Sequence, residues 1–137
     1  MIVVTGGAGF IGSNLIRALN LSGCDDILLI EDMSDGRKCV NLSGACVSDY
    51  LDNQVCAELL DRGAELGANI EMVYHLGACT DTTQWDGRLM MRENFAFSRL
   101  LCEYCIAREI PFVYASSAAV FGTERNFSER RADAVGR

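Results

Sequence analysis

The sequence predicts an α/β fold, a doubly wound parallel sheet covered by helices on both faces. Two observations carry this. Short apolar runs alternate with longer stretches of helical periodicity along most of the 137 residues. A glycine-rich turn joins the first apolar run to the first helical stretch. Such an order requires right-handed crossovers between parallel strands.

Taken in order, residues 1–5 form a short apolar run that ends in glycines, a buried strand. From Phe10, the apolar residues Ile11, Leu15, Ala18 and Leu19 share one face, and Ser13, Asn14, Arg17 and Asn20 the other. That amphipathic helix ends near Gly23. Asp26–Glu31 is the second strand. Residues 34–44 form a polar loop, and a third strand is expected at Ala45–Ser48. Val55, Leu59 and Leu60 mark a helix over roughly 52–66. Ile70–Leu76 is the fourth strand. A long helix is expected over 88–108, with Phe97, Leu101, Tyr104 and Cys105 inward and Arg92, Arg99 and Glu103 outward. Pro111 stops it, and Phe112–Ser116 is the fifth strand. Residues 1–122 read as one incomplete domain and 123–137 as an irregular tail.

Composition excludes several classes. Half the residues are apolar, yet no apolar run reaches membrane-spanning length. The net charge of −7 disfavours a nucleic-acid or membrane-surface partner. The start lacks a signal-peptide pattern. Seven cysteines, an odd number, then suit a reducing cytoplasm and free thiols. Cys102 and Cys105 form a CxxC pair, but inside a helix and without a second pair. With His75 as the lone histidine, no metal site is expected.

The strongest signal is Thr5-Gly6-Gly7-Ala8-Gly9-Phe10-Ile11-Gly12. Here a GxGxxG pattern follows a strand and opens a helix, the context of Rossmann-type dinucleotide binding. Glycine permits the tight turn, the close approach of a pyrophosphate and the packing of helix on strand. The amides at the helix start then hold the anion. Glu31 lies at the end of the second strand, where an acid accepts ribose hydroxyls. Glu31-Asp32 favours NAD, whereas Arg37-Lys38 in the next loop could neutralise the 2′-phosphate of NADP. This chemistry alone leaves the two cofactors open.

These residues resemble the extended short-chain dehydrogenase/reductases, the class of nucleotide-sugar epimerases and dehydratases. The opening TGGAGFIG, the small-residue stretch His75-Leu-Gly-Ala-Cys-Thr80 and the run Tyr114-Ala-Ser-Ser-Ala-Ala-Val-Phe-Gly122 carry the resemblance. Asp35-Gly-Arg-Lys38 with Val40-Asn-Leu42, His75 through Trp85-Asp86-Gly87, and Cys105 through Phe112 narrow it. Together they resemble the ADP-L-glycero-D-manno-heptose 6-epimerases of lipopolysaccharide inner-core synthesis. The resemblance implies an isomerase that inverts position six of ADP-heptose by transient oxidation with NADP, with NAD possible, working as a homo-oligomer.

It also implies roles by position. Gly6, Gly9, Phe10, Ile11 and Gly12 would line the pyrophosphate loop, and Glu31 and Asp32 the adenosine ribose. Lys38 would meet the 2′-phosphate. Leu76, Gly77, Ala78, Cys79 and Thr80 would wall the nicotinamide half, with Asn94 nearby. Ser117 matches the catalytic hydroxyl. Departures from the pattern are Asn53 for a lysine, Cys46 for an acid, and Glu93-Asn94 for an Asn-Asn pair. The Tyr-x-x-x-Lys of the class is absent, and Arg131–Arg137 replaces the run that leads to it. The expectation is therefore a sheet truncated after about five strands, without a substrate domain and inactive by itself. The alternatives are a dinucleotide-binding module without catalysis and a fragment of another nucleotide-sugar epimerase or dehydratase.

Overall fold

The computed structural model describes residues 1–117 and Gly122. The expected irregular tail at 123–137 lies outside these residues. Five parallel strands, β1 (Ile2–Thr5), β2 (Ile27–Glu31), β3 (Asp49–Asp52), β4 (Met72–His75) and β5 (Phe112–Tyr114), pair in the order β3-β2-β1-β4-β5. This is the expected Rossmann-type sheet.

Alternation along the strands supplies both cores. Val3, Leu28, Ile30 and Val73 point to one face, beneath α2 (Asn53–Asp61) and α4 (Phe97–Ala107). Val4, Ile27 and Leu29 point to the other, where Ile16 of α1 (Phe10–Leu21) packs on them. The sheet is thus wrapped on both sides, and the near-continuous apolar character of β2 follows from its burial on both faces.

The third strand is displaced from its expected place. It occupies Asp49–Asp52 rather than Ala45–Ser48, with Asp49 opposite Leu28. As the outer strand it is paired on one side only, and it needs no continuous apolar run. The Tyr50 hydroxyl donates to the Glu31 carbonyl at 3.0 Å, and Asp52 caps α2 by accepting from the Gln54 and Val55 amides. That helix ends at Asp61 rather than near 66, because Gly63 turns the chain with a φ of 70°. Its inward residues are Cys56 and Leu60, while Val55 is exposed. The 34–44 loop contains a 3-10 helix, Gly36–Leu42, capped by Asp35.

The long helical stretch runs from α3 (Gly87–Met90) through a π-helical segment, Met91–Ala96, into α4. Phe97, Leu101, Tyr104 and Cys105 are all buried, the inward stripe that the spacing predicts. Burial pushes the Cys105 thiol up to about 11, as for a core group rather than a reactive one. Among the described residues no helix is long and apolar enough to cross a membrane. None of their His, Cys, Asp and Glu side chains cluster in threes that could hold a metal ion.

Leu101 is fully buried and Ile106 is largely exposed on the same helix. Leu101→Ala is expected to destabilise the chain by roughly 2–5 kcal/mol, and Ile106→Ala to stay within about 0.5 kcal/mol, in urea unfolding of the two variants.

Candidate functional site

All the elements of the site meet at the carboxyl edge of the sheet. The chain leaves β1 into the glycine loop, β2 at Glu31, β3 into Asn53, and β4 into the Leu76–Thr80 stretch. β1 has β2 on one side and β4 on the other, so the topology reverses direction there. Open α/β sheets form their ligand crevice at such a point.

The crevice is built on a backbone approach that no side chain would permit. A Cβ on Gly12 would sit 2.2 Å from the Gly6 carbonyl oxygen, and one on Gly6 2.5 Å from the Gly77 amide nitrogen. Gly6 also adopts a φ of 68°, a conformation natural only to glycine. Gly9 precedes α1 with no side-chain cap, which leaves first-turn amides for an anion. Phe10 and Ile11 stand at this helix start, 83% and 63% exposed.

Glu31 closes the other side of the loop. Its carboxylate accepts from the Ala8 amide at 3.0 Å, the Asp32 amide at 3.1 Å and the Lys38 ammonium at 3.1 Å. Lys38 donates further to the Asp32 carbonyl at 2.8 Å. Asn41 donates to the Ala8 carbonyl, also at 2.8 Å, so the 3-10 helix is strapped to the glycine loop. Glu31 is only 8% exposed, and these three donors occupy most of its acceptor capacity. The Ser34 amide, with Lys38 assisting, holds the Asp32 carboxyl below its ordinary range.

A cleft of about 290 Å³ opens between these elements. It brings together Gly6, Glu31, Asp32, Lys38, Gly77, Ala78 and Cys79 of the residues the sequence singles out. Gly9, Phe10, Ile11, Gly12, Leu76, Thr80 and Asn94 lie outside its lining. Ser117 is exposed, three residues beyond β5. The Asn94 side chain grips Cys79 instead, accepting from its amide at 2.7 Å and donating to its carbonyl at 3.0 Å.

The cleft also contains residues that the periodicity did not mark. Arg92 faces outward, as its spacing predicts, and on that exposed side it lines the cleft and pairs with Glu93 at 2.7 Å. Asn53 donates to Glu93 at 2.8 Å while its own buried carbonyl oxygen has no partner. The sequence marks this position only as a departure from the resembled pattern, an asparagine where that pattern has a lysine.

Three features therefore fit a dinucleotide: uncapped helix amides, a backbone cradle that a Cβ would fill, and an orphaned buried acceptor in the cleft. The model of the NAD dependent epimerase/dehydratase family matches residues 2–135. The chain belongs to that family. It is similar to the UDP-N-acetylglucosamine 4-epimerase of Methanobrevibacter ruminantium M1, at 26% identity and a TM-score of 0.72 over 96% of this chain and 42% of that one. It is similar also to the UDP-glucuronic acid 4-epimerase of Bacillus cereus, solved in complex with NAD, at 25% identity and a TM-score of 0.70 over 90% and 42%. A UDP-galactose 4-epimerase matches at 26% identity and a TM-score of 0.69 over 91% and 41%. The chain thus spans less than half the length of these relatives.

Two outcomes follow from the site. Gly12→Ala must drive a methyl into backbone and is expected to lower the melting temperature sharply, at a cost of about 1–3 kcal/mol or more. Gly36→Ala meets nothing within 4 Å and is expected to leave the melting temperature almost unchanged. His75, buried at the end of β4, is depressed by that burial to about 4, from an ordinary 6.5. Between these values the unfolded chain binds the extra proton, so stability falls as pH drops from about 6.5 toward 4. The slope should approach about 1.4 kcal/mol per pH unit at most, and His75→Gln should remove that part in urea unfolding at pH 5 and 7.

Proposed function

We propose that the chain is the cofactor-binding part of an ADP-L-glycero-D-manno-heptose 6-epimerase and that it prefers NADP. Family membership supports the nucleotide-sugar epimerase class. The heptose enzyme is supported by the three stretches at 35–42, 75–87 and 105–112, of which the first two border the cleft.

The observation that carries the cofactor preference is Lys38 at 3.1 Å from Glu31 inside the cleft. A carboxylate alone at the end of β2 repels a 2′-phosphate. Lys38 neutralises that charge, and two of its three donors are fixed by Glu31 Oε1 and the Asp32 carbonyl. The third is available to a phosphate oxygen. The first-turn amides of α1 would hold the pyrophosphate, and Asn53, which lines the cleft, would border the cofactor. NADP supplies a hydride acceptor and donor when bound. The Gly77–Cys79 wall fixes the cofactor face, and Ser117 holds the substrate oxygen by a hydrogen bond.

The test is calorimetric titration of the full chain with NADP and NAD. Lys38→Ala is expected to weaken NADP binding by roughly tenfold or more and to leave NAD within about twofold. Equal losses for both cofactors would overturn the preference.

A further inference from the structure

His75 is the single histidine of the chain, and the cleft does not contact it. It is 4% exposed, its ring edge-on to Phe97 and stacked on Phe112 at centroid distances of 5.6 and 6.0 Å. Both ring nitrogens are nonetheless engaged. Nδ1 lies 2.6 Å from Thr5 Oγ1, and Nε2 lies 2.7 Å from Ser98 Oγ.

The donors in this chain can be ordered. Ser98 donates its proton to the Asn94 carbonyl at 2.9 Å, so its oxygen accepts from His75 Nε2–H. With the proton on Nε2, Nδ1 is an acceptor and takes the Thr5 proton. The Thr5 oxygen in turn accepts from the Gly77 amide at 3.1 Å. At the other end, Asn94 holds both the amide and the carbonyl of Cys79. The chain of bonds begins at Gly77 and ends at Cys79, the two ends of one wall of the cleft. A second proton on the ring would turn Nδ1 into a donor facing a hydroxyl that already donates to it.

We propose that His75, as the neutral Nε2–H tautomer, is the positioning residue that sets the Gly77–Cys79 wall of the cleft. It acts through Thr5 on one side and through Ser98 and Asn94 on the other. The proposal rests on the reading of this cleft as a dinucleotide site. His75 touches neither cofactor nor substrate. It fixes where two backbone amides stand.

The experiment is long-range nitrogen–proton NMR of the full chain labelled at histidine, where one residue gives one unambiguous set of signals. At pH 7 the wild type is expected to show a bare Nδ1 and a protonated Nε2. Ser98→Ala should shift that tautomer ratio, accelerate amide exchange at Cys79 by at least about tenfold and weaken NADP binding by roughly tenfold. Ser98→Thr, which keeps the hydroxyl, should retain the wild-type tautomer. Thr5→Val should accelerate exchange at the Gly77 amide in the same way. A protonated Nδ1 in the wild type, or Ser98→Ala with unchanged tautomer and exchange, would overturn the proposal. Tautomer and exchange are read without ligand. A chain that binds neither NADP nor NAD therefore refutes the functional reading alone, and those two measurements still decide the role of His75.

Discussion

The structure depends on three stretches of backbone meeting where side chains cannot fit. Gly12 of α1 stands against the Gly6 carbonyl, and Gly6 stands against the backbone at Gly77. These contacts draw the first helix down onto β1 and bring the loop after β4 against the loop after β1. A methyl on Gly12 would push α1 away from the Gly6 carbonyl, and one on Gly6 would push the backbone at Gly77 away from the loop. Packing density leaves no slack to absorb such a shift.

On that floor, electrostatics organises the rim. Glu31 is a nearly buried carboxylate that is tolerable because two backbone amides and one ammonium answer it. The same bonds tie β2, the glycine loop and the 3-10 helix into one unit, with Asn41 on the Ala8 carbonyl as a second tie. The pair of Glu31 and Lys38 is thus a structural clasp and also a charge-balanced surface facing the cleft.

The parts of the fold that were legible in the sequence were those whose cause is local. The glycine pattern, the alternating strands and the Phe97, Leu101, Tyr104 and Cys105 stripe each reflect a periodicity or a steric need within a few residues. The parts that were not legible depend on distant partners. β3 carries a polar sequence because its pairing with β2, not its own hydropathy, makes it a strand. Arg92 faces outward as its spacing predicts, but only the fold makes that outward side a border of the cleft. Asn53 and Glu93 stand out in the sequence only as departures from the resembled pattern, and their pairing across 40 residues, which leaves the Asn53 oxygen unanswered, shows only in the fold. The role of Asn94 was obscured for the same reason, since its partner Cys79 lies in another loop.

Strand order explains how a chain spanning 41–42% of its solved relatives already forms a cleft. With β1 central, much of the crevice comes from the segments that directly follow β1, β2, β3 and β4, the last of them running to Asp86. The helix that follows supplies the remaining wall by reaching back, Asn94 to Cys79 and Ser98 to His75. The geometry of the cleft is therefore set by the crossovers between neighbouring strands and by one helix that returns to the sheet.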